Sequence, residues 1–179
     1  DLEFMEFKNT GNNSINLGGL VLDSAVRYTF PENILLPPRK FWVVVSKPSK
    51  FYDYYGLQAS GTFQGNLSNG GEEILLSGPS GTAVINFSYQ DSSPWTTAAD
   101  GDGFSLSSAE INPSGHPANY SYWTLSVKKE GTPFTDNLLT DDENPPPDDN
   151  GSLVVYPNPT SGLITDRKST RLNSVTVRN

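Results

Sequence analysis

The stretch from Asn66 to Gln90, NLSNGGEEILLSGPSGTAVINFSYQ, constrains the fold more than any other part of the chain. Asn69-Gly70-Gly71 and Gly78-Pro79-Ser80-Gly81 supply residues that tolerate positive φ or pre-set a turn, and they divide the stretch into three strands. In the last of these, Ala83, Ile85, Phe87 and Tyr89 fall on one face and Asn86, Ser88 and Gln90 on the other. That period of two belongs to a half-buried strand and cannot be laid on one side of a helix.

The same pattern recurs along the chain. Leu2 to Phe7 is apolar with Glu3 and Glu6 interleaved, and NTGNNS then turns it. Leu17 to Ser24 is a short strand entered through two glycines, and VRYTFP follows. Phe41 to Ser46, FWVVVS, is apolar on both faces, which predicts a central strand covered on both sides. Pro37-Pro38 just before it stops any helix. DGDGFSLS, Asp100 to Ser107, is a turn entering a strand, and YSYWTLSV, Tyr120 to Val127, alternates with Trp123, Leu125 and Val127 on one face. No helix-period stretch exceeds two turns. About eight short strands with regular turn signals predict an all-β fold, a β-sandwich. Trp42 and Trp123 lie in apolar strand patterns and belong in its core. Trp95, in the loop that runs from Asp91 to Thr97, either stacks on a sugar or a partner or packs over the end of the sandwich, the second being the commoner use of such a residue.

Composition bounds the functional classes. The net charge of −8 and pI of about 4.5 set the surface against phosphate backbones, so direct nucleic-acid binding is not expected. The absence of cysteine excludes disulfides, thiolate nucleophiles and cysteine-based zinc sites. No apolar run is long enough for a membrane span. His116, in PSGHPAN, is the only histidine, and no G-x-S-x-G motif accompanies it, so it reads as a surface-loop residue and no catalytic residue is assigned. Glu72 and Glu73 are neighbours on a strand, face opposite sides and cannot flank one glycosidic bond. Asp100 and Asp102, with Asp91, offer oxygen ligands for calcium, although a full calcium loop needs more acidic ligands and a glycine-enabled turn is the simpler reading. No other cofactor is expected. Trp95 and the tyrosines of FYDYYG, Tyr52, Tyr54 and Tyr55, are candidate sugar-stacking residues.

Five segments in order resemble the lamin tail domain as it occurs in bacterial proteins. FMEFKNTGNNSINLGGLVLDS is similar to its opening, with Glu6 and Asn9 on the family's Glu and Asn, and Leu17, Gly19 and Leu22 on the second element. YTFPENILLPPRKFWVVVSK resembles the next segment, and LSNGGEEILLSGPSGTAVINFSY the hairpins, with Gly71 at a turn. AADGDGFSLS carries the A-D-G-x-G-x-S-L pattern through Gly101 and Gly103, and YWTLSVKKEGTPFTDN resembles the closing segment. The resemblance spans about Leu2 to Asn137. It implies an immunoglobulin-like β-sandwich and a non-catalytic module attached to secreted or surface hydrolases, or strung along surface proteins. It gives Glu6 a structural role, accepting hydrogen bonds from a neighbouring loop. Gly19 is followed by Leu20 where the family commonly has an aromatic residue. The family's first strand would precede Leu2, which suggests that the chain begins at a cut.

Beyond this unit, 138–152 is an acidic proline-rich linker that cannot bury enough apolar surface to offset ordering, and is expected to be disordered and extended. The segment 153–164 begins LVVYPNPTSGLI and resembles the start of the C-terminal sorting domain read by type IX secretion, through Tyr156, Pro157, Asn158, Pro159 and Gly162. The resemblance implies contact with secretion machinery and a secreted or outer-membrane location. The tail 165–179 turns basic with little alternation and reads as foreign to such a domain. The expected function is a non-catalytic accessory module that contacts a protein or surface polymer. The alternative is a carbohydrate- or calcium-binding module attached to an extracellular nuclease or phosphoesterase.

Overall fold

Alternation along Phe4–Asn9 sends Met5 and Phe7 into one layer and Phe4, Glu6 and Lys8 into another, and the molecule is organised around this strand, β1. The computed structural model describes residues 2–96 and 103–137, together with two strands at 152–158 and 176–178. β1 pairs antiparallel with β6, Phe41–Val45, in the register Phe4↔Val45 to Lys8↔Phe41. Gly61–Thr62, β7, adds in parallel to the far side of β6.

The second sheet is antiparallel. Val21–Asp23 (β3) lies between Val26–Thr29 (β4) and Glu72–Ser77 (β9). Gln64–Gly65 (β8) closes one edge and Ala83–Tyr89 (β10) the other. Two-residue bridges, Ile15–Asn16 (β2) with Leu35–Leu36 (β5), tie down the connection across one end. A short ladder of Leu106–Ser108 (β11) with Trp123–Leu125 (β12) does the same for the later segment. Met5, Phe7 and Val44 face Leu22, Val26, Ile74, Leu76, Phe87 and Tyr89 across the sandwich, with Phe30 and Phe63 among them. The result is an immunoglobulin-like β-sandwich.

β6 is apolar on both faces because both are covered. Val44 enters the main core, while Val43 and Val45 join Phe4 and Phe51 in a second, outer cluster. Phe51 comes from the short helix α1, Pro48–Tyr55, which lies over the outside of this sheet. Phe4 meets Phe51 edge-on with ring centroids 5.9 Å apart.

Some local expectations are corrected. The predicted strand before Asn69 does not form; 66–68 has no regular structure and carries the single buried Leu67 between exposed neighbours. Ala83 does not share the inward face of Ile85, Phe87 and Tyr89: the register slips between Ala83 and Ile85, and Ala83 is exposed. Tyr120–Tyr122 is one turn of 3-10 helix instead of strand, closed by the Tyr122 and Trp123 N–H groups donating to the Asn119 and Tyr120 carbonyls, so β12 is only three residues long.

The segment that resembles the start of a separate domain supplies a strand to this sandwich. Ser152–Asn158, β13, pairs antiparallel with β1 over the whole of it, from Phe4↔Asn158 to Asn9↔Leu153. Thr176–Arg178, β14, pairs with β13 at Ser152 to Val154. Residues 138–151, and most of the basic tail, lie outside the described residues.

Candidate functional site

Pro48 at the start of α1 fixes a helical φ where no intrahelical donor is needed, and Gly56, in the left-handed region at φ 67°, ends the helix with its N–H donating to the Tyr52 carbonyl at 2.8 Å. Phe51 and Tyr55, four apart, point inward. The Tyr55 hydroxyl donates to the Glu130 carbonyl. Tyr52 and Tyr54 stay outside, 49% and 57% exposed. Two apart on a helix, they do not face each other. The three tyrosines therefore make no common platform: Tyr54 packs edge-on against Tyr55 at 4.8 Å, and Tyr52 stands apart.

Trp95 is not available for stacking on a ligand. It is only 9% exposed, sits in the main core and lies 6.2 Å from the Trp123 ring, which itself stacks on Phe87. Its loop returns it to the end of the sandwich because a ring of that size gains more from burial than from a solvent-facing position. Trp42 is partly buried, and its Nε1–H donates to the Tyr28 hydroxyl.

The outer face of β1 is a polar stripe buried under the chain's own later segment. Glu6 accepts the Phe134 N–H through Oε2. Lys8, 1% exposed, donates to the Ile111 carbonyl at 3.1 Å and forms an ion pair with Asp136. Burial pushes its ammonium below the usual lysine range, and Asp136 opposes that shift. Asn9, fully buried, donates to the Asn13 and Leu36 carbonyls and accepts the Gly11 N–H, all at 2.8–2.9 Å. Asn137 finishes the arm: its side chain accepts the Val127 N–H and donates to the Leu125 carbonyl. Glu6, Lys8 and Asn137 hold residues 130–137 against the sheet, while Asn9 fixes the turn after β1 and its contact with β5.

Gly19 and Gly71 lie at positive φ, as does Gly103, whose carbonyl accepts the Glu130 N–H. A methyl on Gly71 would run into the Tyr89 carbonyl, and one on Gly19 would come 3.0 Å from the Pro79 ring. Glu72 secures the turn before Gly71, accepting the Ser68 N–H at 2.6 Å and the Tyr89 hydroxyl at 2.9 Å. Burial raises the Glu72 pKa against those two hydrogen bonds and, with the Glu72 charge, raises that of Tyr89.

The loop around His116, which sequence patterns mark only as surface, borders a concave region. A cleft of about 410 Å³ lies between Val84–Asn86 on β10 and Ser114–Pro117. A second, of about 200 Å³, shares Ser114, Gly115 and His116 and is walled by Tyr122, Glu110, Asn119 and Ser121. The loop is fixed from inside. His116 accepts the Ala118 N–H at Nδ1, its carbonyl accepts the Asn119 N–H, and the Pro117 carbonyl takes the Trp123 Nε1–H at 2.7 Å. The PSGHP turn sequence signals a structured loop, but β10, the other wall, is distant in sequence.

The family model of the lamin tail domain matches residues 1–91. The chain belongs to the lamin tail domain family. Lamin tail domains are immunoglobulin-like and non-catalytic, and the Phe4–Tyr89 strands and turns described above fall within the match. No curated protein and no solved structure matches the chain. Among the described residues no group of three His, Cys, Asp or Glu could hold a metal ion, and no helix is long and apolar enough to cross a membrane. Of the calcium candidates only Asp91 is described; Asp100, Gly101 and Asp102 lie outside the described residues. Of the sorting-like residues, Tyr156, Pro157 and Asn158 are in β13 opposite Glu6, Met5 and Phe4, while Pro159 and Gly162 lie outside.

Proposed function

We propose that this lamin tail domain is the non-catalytic accessory module of a secreted or cell-surface bacterial protein, and that it holds a neighbouring protein or surface polymer in the clefts around Ser114, Gly115 and His116. One observation carries the reading: two adjoining clefts share one rigid loop and offer hydroxyl, amide and imidazole groups beside an aromatic wall. Such a lining grips by hydrogen bonds and apolar contact. The His116 Nδ1 is engaged with a backbone N–H, not with a carboxylate that would activate it. The sorting-like YPNP sequence favours export by a type IX-like route. Incubating the protein with nucleic acid, phosphoester and glycan substrates tests the non-catalytic part: the expected result is no turnover, and hydrolysis that survives purification would overturn it.

A second reading is carbohydrate binding at Tyr52 and Tyr54, favoured by their exposure. It requires that Tyr54→Ala, alone or with Tyr52→Ala, weaken retention on polysaccharide.

A further inference from the structure

The C-terminal segment pairs with the sandwich along a single strand edge, and its two strands also lie beside β11 and β10. β13 covers β1 over its full length, and its other described partner, β14, belongs to the same segment. Without β13, β1 would be an edge strand presenting a row of bare N–H and C=O groups, which is a template for another strand.

The tether is far longer than this contact needs. Asp136 is ion-paired with Lys8, and Lys8 is the register partner of Val154. The chain therefore leaves the folded unit at Asn137 next to the place where β13 begins. Fourteen residues, 138–151, separate Asn137 from Ser152, and they can reach about 46–50 Å. They read LLTDDENPPPDDNG, and after Leu138 and Leu139 the composition is acidic and proline-rich, with little apolar surface to fix the segment to its own copy.

We infer that the β1 edge is a strand-acceptor slot, and that residues 152–158 of one copy fill the slot of a second, giving a reciprocal two-fold dimer by strand exchange. Every backbone pairing made within a chain is reproduced between chains, so exchange needs no new contact surface and closes after two copies. Residues 153–156, Leu-Val-Val-Tyr, have strong strand preference wherever they dock. β14 covers the outer edge of β13 from Ser152 to Val154 and Pro157 further along lacks an N–H, so that edge is a poor template for a third copy. Within one chain the strand sees an effective concentration of about millimolar, so the monomer dominates in dilute solution and exchange appears when copies refold together at about millimolar protein.

The chain has no cysteine, so introduced ones report without background. Full-length Met5→Cys and Pro157→Cys, register partners, are mixed, refolded together at about millimolar concentration and oxidised. The expected product is a disulfide-linked heterodimer, in large excess over that from an off-register mixture of Met5→Cys with Leu153→Cys. The double variant in one chain, refolded dilute, forms the bond internally and stays monomeric, which also shows that the substitutions are tolerated. The unmodified chain should give a species of twice the monomer mass after concentrated refolding and monomer alone after dilute refolding. The inference is overturned by equal cross-linking in and out of register, by a folded double variant that forms no internal bond, or by an unmodified chain that is monomeric after both treatments.

Discussion

Lys8 and Asn9 show how much of this fold rests on single buried polar groups. Removing one partner of a buried ion pair costs about 3–5 kcal/mol, because the other charge is left without compensation. Asp136→Asn is therefore expected to destabilise the protein by about 3 kcal/mol near neutral pH, read by urea unfolding. The sign with pH follows from the lowered Lys8 pKa. Between its folded value and the ordinary lysine value of 10.5 the unfolded chain binds more protons, so stability rises with pH in that window. Loss of Asp136 lowers the folded value further, so the Asp136→Asn deficit should shrink as the pH is raised toward about 10. A pH-independent deficit would contradict the assignment. Asn9→Ala strands the Leu36 carbonyl in a buried site and should cost about 2–3 kcal/mol, with little change in the m-value. None of this is legible locally: a lysine in an alternating strand reads as solvent-facing, and its partner Asp136 is 128 residues away. Glu6 and Asn9 are marked by the family pattern, but their partners come from segments that only the folded chain brings together.

At the scale of elements, period-two alternation and glycine turns are readable because each depends on a few neighbouring residues. β9, β10 and the turn at Gly71 fall where those signals place them. Gly71→Ala combines strain at φ 93° with a clash on the Tyr89 carbonyl and should cost about 2 kcal/mol or more, measured as a lowered denaturation midpoint. The helix α1 escapes a reading by period because its eight residues give too short a window for a 3.6-residue repeat. Its inward pair, Phe51 and Tyr55, therefore looks in the sequence like part of a run of aromatics open to a ligand. The outward residues make a complementary prediction. Tyr52→Ala with Tyr54→Ala should leave the melting temperature within about 2 °C, since exposed side chains contribute little to stability. A large drop would mean that this face is covered in the folded protein.

For the whole molecule, the all-β class and the sandwich follow from strand count and turn spacing, and the match at residues 1–91 agrees with them. The pairing of β13 with β1 is not legible, since it joins segments separated by the acidic stretch and depends on an edge that exists only once β1 and β6 have met. The clefts around His116 are hidden for the same reason, one wall being β10 and the other a loop about thirty residues later. The measurement closest to the central claim is co-sedimentation of the full chain with bacterial envelope preparations, comparing the unmodified protein with Gly115→Leu and His116→Ala. His116→Ala should keep the melting temperature and weaken retention, while Gly115→Leu, whose added Cβ comes 3.2 Å from the Tyr122 ring and displaces that wall of the cleft, lowers the melting temperature somewhat and abolishes retention. Retention unchanged in both folded variants, or no retention of the unmodified protein, would contradict a holding role for this surface.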